Sequence, residues 1–169
     1  KTLHNALPDA IALDRTNGGD LLNLPVLTNT LLEIKPDVII NAAAYTNVGD
    51  AEFDHTNAFL VNYYAVEALA KVAKKLKAKL IHYSTDYVFA GCIQRPHTEL
   101  ADTHPLNVYG ESKVAGESAI INAHCNYLIF RTSWVYSKYN NDINSSRSDS
   151  RIFYACLLYT SPSPRDQRG

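Results

Sequence analysis

The chain lacks several features that would have assigned it to a class at once. It contains no methionine, and its first residues, Lys1-Thr2-Leu3-His4, carry neither an initiating Met nor the apolar run of a secretory signal. The natural chain is therefore expected to begin upstream. No apolar run approaches the ~18 residues of a membrane-spanning helix, so no membrane partner is expected. The three cysteines, Cys92, Cys125 and Cys156, show no CxxC spacing. That argues against a disulfide scaffold and suits a reducing cytoplasm, with each thiol a small buried hydrophobe. The six histidines form no HExxH pair, and no metal is expected. The net charge of −1 leaves no excess of positive charge for a nucleic-acid partner. The lysines at 71, 74, 75, 77 and 79 read as the solvated face and end of a helix.

What is present is the composition of an ordinary globular domain, 46% hydrophobic and 20% charged. Its length suffices for one core. Ala10-Ile11-Ala12-Leu13, ending in Asp14, reads as a strand, followed by a Gly18-Gly19-Asp20 loop. Pro25 suits the first turn of a helix reaching Ile34, with Pro36 as its stop. Val38-Ile39-Ile40 is the β-branched run of a strand buried on both faces. Residues 57 to 76 place Val61, Ala65, Ala68, Leu69, Val72, Ala73 and Leu76 on one helical stripe. Leu80 to Ser84 is a strand, 85 to 107 a polar loop, 108 to 121 a helix and Tyr127 to Phe130 a strand. Helices alternating with strands imply an α/β doubly wound, Rossmann-like parallel sheet.

Such sheets bind ligands beyond the carboxyl ends of their strands. This puts Asp14, residues 41 to 46, 84 to 87 and 131 to 136 on the ligand side. No GxGxxG or GxxGxxG occurs, although the phosphate-binding turn of these folds follows the first strand. The sheet is therefore expected to be truncated at both ends, with Ile11 on its second strand.

Tyr109-Gly110-Glu111-Ser112-Lys113 places a tyrosine and a lysine one helical turn apart on one face. A free phenol titrates near ~10. A lysine ammonium beside it favours the phenolate, so that the tyrosine can hand a proton to a carbonyl oxygen. The rival reading is an exposed aromatic–cation pair. Context favours chemistry: Ser84-Thr85-Asp86 ends a strand upstream, and a hydroxyl there could bond both the reacting carbonyl and the tyrosine.

Four segments carry a family resemblance. They are Asn41-Ala42-Ala43-Ala44-Tyr45-Thr46, Tyr83-Ser84-Thr85-Asp86-Tyr87-Val88-Phe89, Pro105 to Lys113, and Phe130-Arg131-Thr132-Ser133-Trp134-Val135-Tyr136. Together they resemble the dTDP-4-dehydrorhamnose reductases, within the extended short-chain dehydrogenase/reductases, over about residues 10 to 139. The resemblance implies reduction of a nucleotide-linked 4-keto-6-deoxysugar by NADPH or NADH, giving dTDP-L-rhamnose for surface polysaccharide. It further implies a cytoplasmic enzyme and allows a homodimer of the full-length protein.

The resemblance makes Tyr109 the proton donor and Lys113 the holder of the nicotinamide ribose. Thr85 polarises the keto group, with Asp86 and Trp134 on the substrate. Asp14, Asp20 and Leu21 lie near the adenosine half of the cofactor. Ala43, Ala44, Tyr45, Thr46 and Tyr83 line the dinucleotide. Blander roles stand beside these: Asp14 as a strand end, Ala42 to Ala44 as tight packing, Trp134 as core, and Tyr45, Tyr63 and Tyr64 as packing residues. Arg131 reads as a structural ion-pair residue.

Gly49-Asp50-Ala51-Glu52 departs from the Asp-Lys-Ala-Glu usual in the family, which bears on local contacts. Residues 1–139 are expected to form a partial NAD(P)-binding domain, and 140–155 an irregular start of a truncated substrate domain. Residues 156–169 resemble a translated sequencing adaptor or a Pro/Ser-rich disordered tail. By itself the chain is expected to be inactive. Two other functions fit less well: a non-catalytic regulatory subunit like that of methionine adenosyltransferase, or a related sugar-nucleotide epimerase or reductase.

Overall fold

The computed structural model describes residue 7, residues 10–91 and 96–133, and the backbone of Leu157–Thr160. In chain order it contains α1 (Leu24–Ile34), β1 (Val38–Asn41), the short α2 (Val48–Ala51) and α3 (His55–Phe59). A π-helical turn (Leu60–Tyr64) runs from α3 into α4 (Ala65–Leu76). Then come β2 (Lys79–Thr85), a 3₁₀ turn (Asp86–Val88), α5 (Val108–Ala123), β3 (Asn126–Thr132) and β4 (Leu157–Thr160).

The sheet order is β1-β2-β3-β4. The first three strands are parallel, in a register that sets Asn41 beside His82 and Thr85 beside Thr132. Helical connections separate them, as the alternating pattern requires. Leu157–Thr160 lies in the segment that the sequence sets outside the fold; here its backbone pairs antiparallel with β3.

Leu27 and Leu31 of α1, Ile39 of β1, and Val66, Leu69, Val72 and Ala73 of α4 share one core with Leu80 of β2, Ile120 of α5 and Ile129 of β3. The helices therefore cover one face of the sheet. The strands show this as alternation: Leu80, His82 and Ser84 are buried while Ile81 and Tyr83 are half-buried. The expectation that Val38-Ile39-Ile40 is buried on both faces is not met, since Val38 is 48% exposed and only Ile39 is buried.

Two local expectations differ more sharply. Ala10 to Leu13 is not a strand. A strand needs a partner for its ladder, and no described strand lies beyond β1. Local side-chain bonds take the ladder's place: Asn17 Nδ2 donates to the Ala12 carbonyl, and the Asp14 N–H donates to Asn17 Oδ1. The long helix expected over 57 to 76 is real but interrupted. Its π-helical turn adds one residue to the helical ladder, a feature with no signature in apolar periodicity.

Candidate active site

Two groups of residues meet the carboxyl ends of the parallel strands. The first is a crevice beside β1 of about 300 Å³, lined by Leu13, Gly19, Leu21, Ile40, Asn41 and Ala43 among others. The loop folds this closely because of its glycines. Gly18 has φ of 92°, and a Cβ on Gly19 would meet the Leu13–Asp14 backbone at 2.7 Å. Asp14 follows Leu13 of that lining in the chain. Its carboxylate accepts from the Thr16 N–H and hydroxyl, both at 2.7 Å. The Thr16 hydroxyl, then its backbone N–H, holds the carboxyl below the usual range. Asp20 Oδ1 accepts from the Leu22 N–H at 3.0 Å.

Beyond β1, Ala43 sends its N–H to Asn41 Oδ1 at 3.2 Å. Ala44 and Tyr45 are half-buried, and Thr46 is exposed. Tyr45 packs against Ala51, Ala58, Val108 and Tyr109, joining the cofactor-type loop to α5. Burial, then Asp54 and Asp50, raises its phenol.

The second group lies under α5. Tyr109, Lys113 and Glu117 recur every four residues and face the sheet, all buried. Each meets a polar group. Tyr109 lies beside the hydroxyl of Thr85, the last residue of β2. Lys113 Nζ donates to the Tyr83 carbonyl at 2.7 Å and lies 3.3 Å from His82 Nε2. Glu117 takes Arg131 in two-pronged fashion, Nη2 to Oε2 at 2.7 Å and Nε to Oε1 at 3.1 Å. Arg131 also lies over the Phe89 ring, 5.0 Å from its centre. The structural reading of Arg131 is the correct one.

The electrostatics depart from the expected tuning. Burial raises the Tyr109 phenol; the Thr85 hydroxyl opposes this, and Asp86 and Tyr87 raise it further. The lysine expected to acidify Tyr109 is not among these influences, because its amine is directed to His82 and Tyr83 on β2. Burial pushes Lys113 down to about 8, opposed by Glu117. Burial, then Lys113, holds His82 well below its usual value.

The structure thus gathers Thr85, Asp86, Tyr109, Lys113 and the Tyr83 carbonyl at one strand end. Leu21 and Ala43 line the crevice, whereas Asp14, next in sequence to the lining residue Leu13, is not part of that lining. Trp134 lies outside the described residues. Three residues that hold this group in place are not visible in the sequence pattern. His82 contacts Lys113. Asn62 clasps Tyr45 and donates to Ser112 Oγ at 3.0 Å. Glu52 Oε1 accepts the Val108 N–H at 2.8 Å and so caps the helix that bears Tyr109. Glu52 and Asn62 are more than 45 residues from these partners on α5, so no local pattern could reveal them. His82, between Leu80-Ile81 and Tyr83 in the middle of β2, was the one visible signal.

A family model described as the RmlD substrate binding domain matches residues 2–146. The chain belongs to this family. Among RmlD relatives, it is 49% identical over 124 residues to the dTDP-4-dehydrorhamnose reductase of Escherichia coli (strain K12), covering 73% of this chain and 42% of that protein. It is 43% identical over 139 residues to that of Sinorhizobium fredii, covering 81% and 47%. The chain spans less than half the length of these relatives. Among solved structures, the dTDP-4-dehydrorhamnose reductase of Yersinia enterocolitica superposes with TM-score 0.74 at 34% identity, covering 80% of this chain and 48% of that one. The Bacillus anthracis dTDP-4-dehydrorhamnose reductase in complex with NADP gives 0.69 at 39% identity, covering 72% and 44%. The RmlD fold is thus a Rossmann-like parallel sheet with flanking helices. Among the described residues no helix is long and apolar enough to cross a membrane.

Proposed function

We propose that the protein containing this chain reduces the 4-keto group of dTDP-4-dehydro-L-rhamnose to dTDP-L-rhamnose with NADPH or NADH, in the cytoplasm and as a homodimer. The observation that carries this reading is the approach of the Thr85 hydroxyl, at the carboxyl end of β2, to the Tyr109 phenol, with Lys113 buried one turn along the same helix face. The names of the RmlD relatives supply the substrate class.

The residues present fit a dinucleotide. The crevice beside β1 is apolar at Leu13 and Leu21, as an adenine face requires, and Asp14 and Asp20, neighbours in sequence of the lining residues Leu13, Gly19 and Leu21, would offer carboxylates to a ribose hydroxyl. Leu21, Ala43, Ala44, Tyr45 and Thr46 would flank the bound group, and Lys113 would hold the nicotinamide ribose. When bound, the dinucleotide supplies hydride.

This chain's residues do the rest. The Thr85 hydroxyl orients the keto oxygen toward Tyr109. The phenol, kept protonated by burial, donates its proton to that oxygen as negative charge develops there. Asp86, exposed beside Thr85, and Trp134 would position the sugar.

The test is turnover of the complete reductase, followed as keto-sugar-dependent loss of reduced dinucleotide. Tyr109→Phe is expected to lower kcat by at least roughly 10²-fold while dinucleotide binding is retained. Near-normal turnover would remove Tyr109 from the chemistry. Lys113→Ala should weaken dinucleotide binding as well as rate.

A further inference from the structure

The 3₁₀ turn after Thr85 leaves two side chains exposed near the buried phenol of Tyr109: Asp86 and Tyr87. The Tyr87 residue is 38% exposed, yet its main chain is fixed from several sides. Its N–H donates to Thr85 Oγ1 at 3.2 Å. Its carbonyl lies so close to α5 that a Cβ on Gly110 would collide with it. The next two residues, Val88 and Phe89, are buried, and the Val88 carbonyl accepts from the His104 N–H at 2.9 Å. The Tyr87 ring meets that of Tyr109 edge to face, with centroids 5.7 Å apart and 74° between the planes. Tyr87 is thus a firmly held aromatic surface, open to solvent, at the strand end where the keto sugar would sit. Asp86 precedes it in the turn, so the two side chains project in directions about 120° apart.

The substrate poses a problem that Thr85 and Tyr109 do not solve. In a pyranose ring C4 lies opposite C1, which carries the nucleotide. A half-turn about the line through C1 and C4 leaves the keto oxygen and the nucleotide attachment nearly where they were. It exchanges C3, which bears a hydroxyl, with C5, which bears the methyl group, and it presents the other face of the carbonyl. In reduction the carbonyl carbon gains a hydride from the reduced dinucleotide, which is oxidised, and the carbonyl oxygen gains the Tyr109 proton. The balance is the same from either face, but the two products are C4 epimers. Thr85 and Tyr109 both act on the keto oxygen, so they do not tell the two poses apart. Groups beside C4 must do so.

We propose that Tyr87 is a specificity residue that takes the C5 methyl group of the keto sugar against its ring, while Asp86 takes the hydroxyl on the other flank of C4, and that this pair sets which C4 epimer forms. The proposal rests on the reductase reading and deepens it. A carboxylate accepts from a hydroxyl and offers nothing to a methyl group; an aromatic ring does the reverse. In the turned pose the methyl group meets the carboxylate, and the hydroxyl gives up water against the ring. Both effects oppose that pose. The bond to Thr85 and the close approach to Gly110 matter because they hold the Tyr87 main chain in register with Tyr109. A ring free to swing aside would not discriminate.

The test uses the complete reductase with the 4-keto-6-deoxy sugar nucleotide and NADPH, and reads the C4 epimer ratio of the product by proton NMR. The unsubstituted enzyme should give one epimer in large excess. Contact with one methyl group discriminates by about 10–200-fold, so Tyr87→Ala should raise the fraction of the other epimer at least about tenfold. Tyr87→Phe, which keeps the ring, should keep the original ratio. A Tyr87→Ala enzyme as stereoselective as the unsubstituted one overturns the proposal. Both epimers come from the same folded molecules, so a loss of rate or of folded yield does not by itself move the ratio. If Tyr87→Ala does not fold, the substrate supplies the change. A 4-keto pentose sugar nucleotide, with no methyl group at C5, should give the unsubstituted enzyme a mixture of C4 epimers, and a single epimer overturns the proposal. An enzyme that does not reduce the keto sugar would sink the reductase reading and this proposal with it. One that reduces it with a ratio indifferent to Tyr87 would sink this proposal alone.

Discussion

Asn62 clasps Tyr45 by both sides of its backbone. Its Oδ1 accepts from the Tyr45 N–H at 2.9 Å, and its Nδ2 donates to the Tyr45 carbonyl at 3.0 Å. The same NH₂ reaches Ser112, so one buried amide ties the π-helical turn to the loop after β1 and to α5. Asn62→Ala leaves these groups without their partner and is expected to cost on the order of 3 kcal/mol. Urea denaturation would show the lowered midpoint, and hydrogen exchange at the Tyr45 amide should accelerate. No change in either would mean the clasp is not a stabilising contact.

Gly116 makes a sharper steric prediction. A Cβ there would run into the Asn62 carbonyl, where α5 crosses the π-helical turn. Gly116→Ala should destabilise by about 1–3 kcal/mol, the usual range for overpacking. Gly49→Ala is the control, because the nearest atom to its added Cβ is Asn47 Oδ1 at 3.7 Å. Equal thermal midpoints for the two variants would refute the argument.

The Glu117–Arg131 pair is buried on both sides, with side chains 4% and 9% exposed. Removing one partner strands the other charge, so Arg131→Met alone should cost about 3–5 kcal/mol. Combining it with Glu117→Leu should recover most of that loss. A double variant as unstable as the single would show that the pair does more than neutralise itself.

Two buried bases set the pH dependence of stability, and both have folded-state pKa values below their unfolded ones. Between about 8 and the usual lysine value of 10.5, the unfolded chain holds a proton on Lys113 that the folded chain lacks. Stability therefore rises with pH across that window. Below the usual histidine value of 6.5, the unfolded chain protonates His82 while the folded chain does not, so stability falls as pH falls. Urea midpoints measured across both windows should show these slopes. Lys113→Met should abolish the alkaline one; a persistent alkaline rise in that variant would assign it elsewhere.

The legible part of this fold was the part written locally. Pro25 in the first turn of α1 and the apolar stripe of α4 each mark an element through neighbouring residues, and each element is present. Thr85, Tyr109 and Lys113 were legible because a strand end followed by a helix brings them together. The clasp of Asn62, the cap from Glu52 and the contact of His82 with Lys113 were not, because their partners come from other elements. The pKa of Tyr109 was misjudged for a related reason. Spacing put Lys113 on the right face of α5, but only β2 shows that its amine turns toward His82 and the Tyr83 carbonyl. Ala10 to Leu13 looked like a strand because it is a short apolar run ending in Asp14, and such a run says nothing about whether a ladder partner is at hand.

The π-helical turn also bears on how this chain tolerates changes of length. Residues before it, such as Ala58, pack with Val108 and Tyr109 around the start of α5. Residues after it, such as Val66 and Leu69, pack into the main core. The extra residue sets the phase between these two halves. Deleting any one residue from 60–64 would restore a regular helix and rotate one half against the other by roughly 100°. One of the two clusters would then lose its contacts even though every remaining side chain was unchanged. Substitutions in this turn act locally, whereas a one-residue deletion acts on everything to one side of it.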